Sequence, residues 1–318
     1  RKSLIKVENL SKSYGPVEAV KSLSFEVNDG EIVGFLGANG AGKSTTLKVM
    51  TGFLSPTSGN VYVDNLNIFD HEHEIQKKIG YLPELNPLYV DMKVFDLLKF
   101  HASVRGMNDK HFKTALERVV HGCGLIGVIH RNVGDCSKGY KQRIGLAAAM
   151  IHDPEILILD EPVTGLDPNQ IVEIRQLIKQ LGKEKLVIMS SHILQEIQAT
   201  VDKIIIINNG ELVAEGSSDE LIASAQGLAQ LKLELTGATE DGIQEMKAFI
   251  PSVSIHSINS NDNSSLVTLE YEYTSDPRKD IFDYAVKSQW SILEMSQSKT
   301  NLEDVFRSLT QKGDQGNA

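Results

Sequence analysis

The sequence has little cysteine and no long apolar run, and each shortage excludes something. Two cysteines among 318 residues, Cys123 and Cys136, are too few for a disulfide framework. Neither has metal-ligand company at the usual spacings. Both read as reduced intracellular thiols. Apolar stretches such as Gly145–Ile151 and Ile204–Ile207 fall far short of the roughly 18–20 residues that span a bilayer. The opening RKSLIKVENL carries basic residues but no apolar stretch of the signal-peptide kind. The expectation is a cytoplasmic protein that meets a membrane only through a partner.

Positive charge is also short. Lys and Arg number 32 against 42 Asp and Glu, a formal charge of −10. That balance argues against sequence-independent nucleic-acid binding, which needs cations to displace counterions from phosphates. The deficit is uneven. From Gly227 to Ala318 there are 8 basic residues against 14 acidic ones, so length and charge both predict a seam near residue 225.

Before that seam, apolar strand candidates alternate with helical patterns. Ile5–Val7, Leu23–Val27, Ile32–Leu36, Val61–Val63, Ile156–Leu159, Leu186–Ser190 and Lys203–Ile207 read as strands. Four of them are nearly continuous in aliphatic residues, as strands buried on both faces of a parallel sheet are. Helices are expected over Gly42–Thr51, Pro168–Leu181 and His192–Thr200. Residues 91–153 hold no convincing strand and predict a helical subdomain, with segments Lys93–Arg105, Asp109–His121 and Lys138–Ile151.

Within this part, Gly37-Ala38-Asn39-Gly40-Ala41-Gly42-Lys43-Ser44-Thr45 matches G-x-x-x-x-G-K-[ST], with an apolar strand leading in and a helix leading out. Glycines let backbone N–H groups wrap phosphate oxygens, and the helix N-terminus adds its dipole. Lys43 is placed to reach the β- and γ-phosphates and Ser44 to ligate Mg²⁺. The strand Ile156–Leu159 delivers Asp160 and Glu161. Asp160 suits the metal's water shell, and Glu161 suits a general base for the attacking water. These motifs alone leave kinases, GTPases and transport ATPases open.

Further landmarks resemble the ABC ATPases, the nucleotide-binding subunits of ATP-binding-cassette transporters. Cys136-Ser137-Lys138-Gly139-Tyr140 stands where that family has LSGGQ, at the start of a helix. Cys136, Lys138 and Tyr140 depart from the consensus, while Ser137 and Gly139 keep it. The resemblance implies that Ser137 and Gly139 touch the γ-phosphate of ATP held by the opposite subunit. It makes Tyr14 the adenine-stacking aromatic, Thr164-Gly165-Leu166-Asp167 the D-loop, and His192 the switch histidine on the γ-phosphate. Glu84 occupies the place of the family's Q-loop glutamine. Its carboxylate keeps an acceptor for Mg²⁺ and adds a negative charge.

The expected fold is therefore α/β: a P-loop ABC ATPase domain over residues 1–225, with a helical subdomain at about 91–153. The expected activity is ATP hydrolysis with Mg²⁺, by two copies of this chain or by one paired with a related cassette, powering a separate transmembrane permease. Glu84, SKGYKQR, TGLDPNQ and the acidic tail look closest to type-2 ABC exporters and their gliding-motility-associated subunit. A soluble ABC ATPase of translation or repair is the alternative. One cassette and an acidic chain disfavour it.

Residues 226–318 read as a second, acidic domain. LKLELTG, DGIQEMKAFI, VSIHSIN, SLVTLEYEY, DPRKDIFDYAVKSQW and SILEMSQS give the order βαββαβ, a ferredoxin-like arrangement. NLEDVFRSLT adds a helix capped by Asn301, and QKGDQGNA reads as disordered. His256 is expected at the surface without a partner, and Trp290 in the core. No catalytic constellation is visible there, so the domain is expected to be regulatory or to stabilise a dimer.

Overall fold

In the computed structural model, described for residues 3–225, 229–261, 264–272, 275–298 and 302–311, the aliphatic runs lie where a buried parallel sheet needs them. The chain divides into two compact units. Unit 1 is Arg1–Ser218 with Leu309–Ala318, and unit 2 is Asp219–Ser308.

Unit 1 starts with two long antiparallel strands, β1 (Ser3–Tyr14) and β2 (Val17–Asn28), and enters β3 (Ile32–Leu36), all five residues of which are buried. Helix α1 (Lys43–Met50) follows, then β4 (Ser58–Val63), β5 (Leu66–Asn67), α2 (Glu72–Gln76) and β6 (Ile79–Leu82). Three helices come next, α3 (Val94–Val104), α4 (Asp109–Gly122) and α5 (Lys138–Met150). The chain then alternates through β7 (Ile156–Leu159), α6 (Pro168–Leu181), β8 (Leu186–Ser191), α7 (Leu194–Gln198), β9 (Lys203–Asn208) and β10 (Glu211–Gly216); α8 (Ser218–Ala225) has its first residue here and the rest in unit 2.

One sheet is antiparallel, in the order β2-β1-β4-β5; the other runs β10-β9-β3-β8-β7-β6 and is parallel except for β10. Their facing sides share one apolar core, in which Val7, Phe25, Val61, Leu47, Phe35 and Ile158 are buried. Every residue of β3, β7 and β8 is buried, as the aliphatic runs required. The parallel strands end together, so the loops after β3, β7 and β8 meet at one sheet edge.

The sequence expectation missed β5, β6 and β10. Strand β6 is four residues broken by a glycine and followed by Pro83, and β10 is a short, half-buried edge strand with acidic residues near both ends. The helix expected over His192–Thr200 starts only at Leu194. Ile193 keeps an extended backbone and its N–H donates to Ser191 Oγ, which leaves His192 in a bend.

Unit 2 runs β11 (Ala229–Thr236), α9 (Glu240–Phe249), β12 (Val253–Ser260), β13 (Ser265–Tyr271), α10 (Arg278–Lys287) and β14 (Ser291–Ser298); α11 (Leu302–Gln311) comes last. Its sheet is antiparallel, in the order β12-β13-β11-β14. Alternation puts Leu231, Leu233, Leu235, Val267 and Leu269 on one face, in a core with Ile243, Met246 and Ile281. Trp290 is half-buried, packing on that core rather than lying within it. His256 is exposed as expected but does have a partner, Glu270, at 3.2 Å across the strand pair. Asn301, the expected cap, and Lys312–Ala318, most of the tail read as disordered, lie outside the described residues.

Candidate active site

The loop between β3 and α1 needs its glycines for space. A Cβ on Gly37 would lie 2.3 Å from the Ile207 carbonyl oxygen, and one on Gly42 would lie 2.5 Å from that of Ala19. Gly42, which N-caps α1, has φ of 104°, a left-handed value that an L side chain resists. No side chain caps this helix, so its first N–H groups point into the loop as donors for an anion.

Lys43, at the first position of α1, is 5% exposed. Its ammonium donates to the carbonyls of Gly37 (2.8 Å) and Ala38 (3.1 Å) and stands 3.6 Å from Glu161 Oε1. Ser44 Oγ donates to Asp160 Oδ1 at 3.0 Å. Asp160 follows β7 and is held from the other side of the strand pair, its N–H donating to the Leu82 carbonyl at 2.9 Å.

Glu161 is also buried, and its φ is 49°, the left-handed region again. Its Oε2 accepts from Thr164 Oγ1 at 2.9 Å and lies 3.0 Å from His192 Nδ1. Strands β7 and β8 are hydrogen-bonded neighbours, and this places the histidine loop beside the acids. Thus Lys43, Ser44, Asp160, Glu161 and His192, spread over 150 positions of sequence, form one bonded group. Burying three charges costs several kcal/mol per ion unless partners compensate, and such sites are where function is looked for first.

The oxygen set fits a hard cation. Ser44 Oγ and the Asp160 carboxylate are the donors Mg²⁺ prefers. Asp160 Oδ2 takes no hydrogen bond among the described residues, since both neighbouring hydroxyls bond to Oδ1. Glu84 is exposed in the loop after β6 and makes no hydrogen bond or ion pair to this group.

The remaining expected residues stand apart. Tyr14 ends β1, 48% exposed, with the Lys12 ammonium 5.5 Å from its ring centroid. Ser137 N-caps α5 and accepts from the Tyr140 N–H at 3.3 Å. Gly139 is buried against Gln170 of α6, where a Cβ would come within 2.7 Å of the amide carbon. Neither residue is bonded to the Lys43 group within the chain.

Sequence reasoning missed Ser190 and placed Thr164 in the D-loop without its bond to Glu161. Thr164 bonds Glu161, and Ser190 bonds both acids. The only sequence signal for Ser190 was a hydroxyl two residues before His192. Ser191 Oγ, next along, donates to the buried Glu196 carboxylate at 2.6 Å, whose burial raises its pKa. On the side of β6, a cavity of about 370 Å³ is lined by Phe53, Tyr81, Asn86, His101, Arg105 and Ala149, among others. Asn86 donates to the Lys141 carbonyl on α5 at 2.9 Å, and Gly145 leaves the room for it.

The model of a family described as "ABC transporter" matches residues 20–164. The bacitracin transport ATP-binding protein BcrA of Bacillus licheniformis is 41% identical over 221 residues, 69% of this chain and 71% of that protein. The linearmycin resistance ATP-binding protein LnrL of Bacillus subtilis (strain 168) is 31% identical over 310 residues, 96% of this chain and 98% of that one. Among solved structures, the dimeric post-hydrolysis state of the ATP-binding cassette MJ0796, bound to ADP and Pi, superposes with a TM-score of 0.61. Its identity is 25%, over 67% of this chain and 98% of that one.

Proposed function

The chain belongs to the ABC transporter family as an ATP-binding, ATP-hydrolysing subunit, and from that premise we propose how its residues carry the hydrolysis and what it works with. The carrying observation is the meeting, at the sheet edge, of the buried Lys43 and Glu161 with the solvent-accessible His192. The N–H groups of Gly37–Thr45 wrap the phosphates, and the Lys43 ammonium exchanges its two loop carbonyls for β- and γ-phosphate oxygens. Tyr14 offers its exposed face to the adenine. Glu161 takes the proton of the attacking water, and His192 fixes that carboxylate while facing the γ-phosphate. Ser44, Asp160 and Glu84 are the residues that would hold Mg²⁺, which when bound neutralises phosphate charge.

Ser137 and Gly139 lie outside that group, and this fits a role on the ATP of a second subunit. Two copies of this chain, or this chain and a related cassette, would close around two nucleotides. The cavity beside β6, rimmed by the exposed Phe53, is where a segment of a membrane permease would dock. Asn86, hydrogen-bonded to α5, links that place to the Ser137 end of the helix. No helix among the described residues is long and apolar enough to cross a membrane, so a place on the inner face of the membrane would depend on the permease.

Transport outward, within the type-2 ABC exporters and near their gliding-motility-associated subunit, is the finer reading; Glu84, SKGYKQR and TGLDPNQ support it. We read residues 1–225 as the ATPase domain and 226–318 as a ferredoxin-like domain that regulates or stabilises the dimer. The antiparallel order β12-β13-β11-β14 supports that reading.

Sedimentation of the full chain with a non-hydrolysable ATP analogue tests the composite site. A dimer that Gly139→Arg abolishes is expected, and a monomer at every nucleotide concentration contradicts the proposal. Co-purification from native membranes should bring down a membrane-spanning partner.

A further inference from the structure

Asp160 and Glu161 are joined by a side chain outside the nucleotide motifs. Ser190, on β8, is fully buried. Its Oγ donates to Asp160 Oδ1 at 2.6 Å and accepts the Glu161 N–H at 2.9 Å. The polarity of this bridge is fixed. A backbone N–H only donates, so Ser190 accepts it on a lone pair and gives its own proton to Asp160 Oδ1.

Glu161 needs that acceptor. Its backbone is left-handed, which an L residue adopts only where surrounding bonds determine it. Three bonds do so: Ser190 Oγ on its N–H, the Thr164 N–H on its carbonyl (3.2 Å), and the Thr164 hydroxyl on its carboxylate. Without Ser190 the amide has lost its acceptor, and the backbone gains by relaxing to an extended conformation. That change would swing the carboxylate away from Lys43 and His192.

We propose that Ser190 is a positioning residue for ATP hydrolysis, tying the metal-side acid to the backbone of the base so that Glu161 keeps its aim. This rests on reading Asp160 and Glu161 in those two roles.

The experiment compares full-length wild type, Ser190→Ala and Ser190→Thr by ATPase kinetics and by amide hydrogen exchange without nucleotide. In the wild type the Glu161 amide should exchange slowly; fast exchange there overturns the proposal whatever the variants do. Ser190→Ala should lose about 10- to 100-fold in kcat, as for a lost hydrogen bond to a charged group. KM should stay within about threefold, and the Glu161 amide should lose protection while those of β7 keep it. Ser190→Thr, which retains the hydroxyl, should recover both readouts. A wild-type kcat in Ser190→Ala, or a loss of kcat with the amide still protected, overturns the proposal. Glu161→Gln run alongside separates the two ideas. If it still turns over, the base assignment fails; if it is inactive while Ser190→Ala is unaffected, only the role of Ser190 fails.

Discussion

The described residues of unit 1 bury four charged side chains, Lys43, Asp160, Glu161 and Glu196, whereas those of unit 2 bury one polar residue, Ser265, and no charge. Both units have regular sheets with an apolar face. Among the described residues of unit 2, the ion pairs of Arg278 with Asp276 and Arg307 with Glu303 lie at the surface, where such pairs contribute only about 0–1 kcal/mol. Unit 2 is accounted for by packing. Unit 1 is not, because its buried charges oppose folding unless each finds a partner. The comparison teaches where chemistry resides: in the unit that carries groups a merely stable fold would leave out.

If unit 2 is held by packing alone, its core is where it breaks. Leu233, buried in the middle of β11, should cost about 2–5 kcal/mol on truncation to Ala. Urea unfolding followed by hydrogen exchange should place the loss in unit 2, with ATP affinity kept within about twofold. A collapse of nucleotide binding would break the comparison.

The reverse change acts on unit 1. Lys43→Ala should weaken ATP binding about 10- to 100-fold, as removal of a charge-assisted contact does. Titration with a fluorescent nucleotide measures this, and unchanged affinity would refute the assignment.

The smallest effect sharpens the contrast through pH. Burial, with Arg105 nearby, lowers the pKa of His152 to about 4 from 6.5, while its Nε2 lies 3.1 Å from the Ile79 carbonyl. The unfolded chain therefore binds that proton first, and stability falls as pH drops from about 6.5 towards 4. Between pH 7.5 and 5 the loss should be about 1–2 kcal/mol. His152→Gln should remove that part of the slope, as unfolding at the two pH values will show.

Much of the fold was legible because the patterns were complete. The run Ile156–Leu159 read as a buried strand, and the helix expected over Pro168–Leu181 is α6, which Asp167 caps. The phosphate loop read directly, since its glycines and lysine fall at a fixed spacing between an apolar strand and a helix. What stayed hidden depends on neighbours distant in sequence. Ser190 meets Asp160 across 30 residues, and His256 finds Glu270 only once β12 pairs with β13. Strand β6 was too short to show a period, and the late start of α7 follows from a bond between Ser191 and Ile193 that competes with the helix.

Phosphate release by Glu161→Gln at saturating Mg-ATP, with nucleotide binding measured in the same preparation, tests the central claim most directly. The account predicts a rate at least about 100-fold below wild type, the usual contribution of a general base, with binding intact. Wild-type turnover in that variant would contradict it.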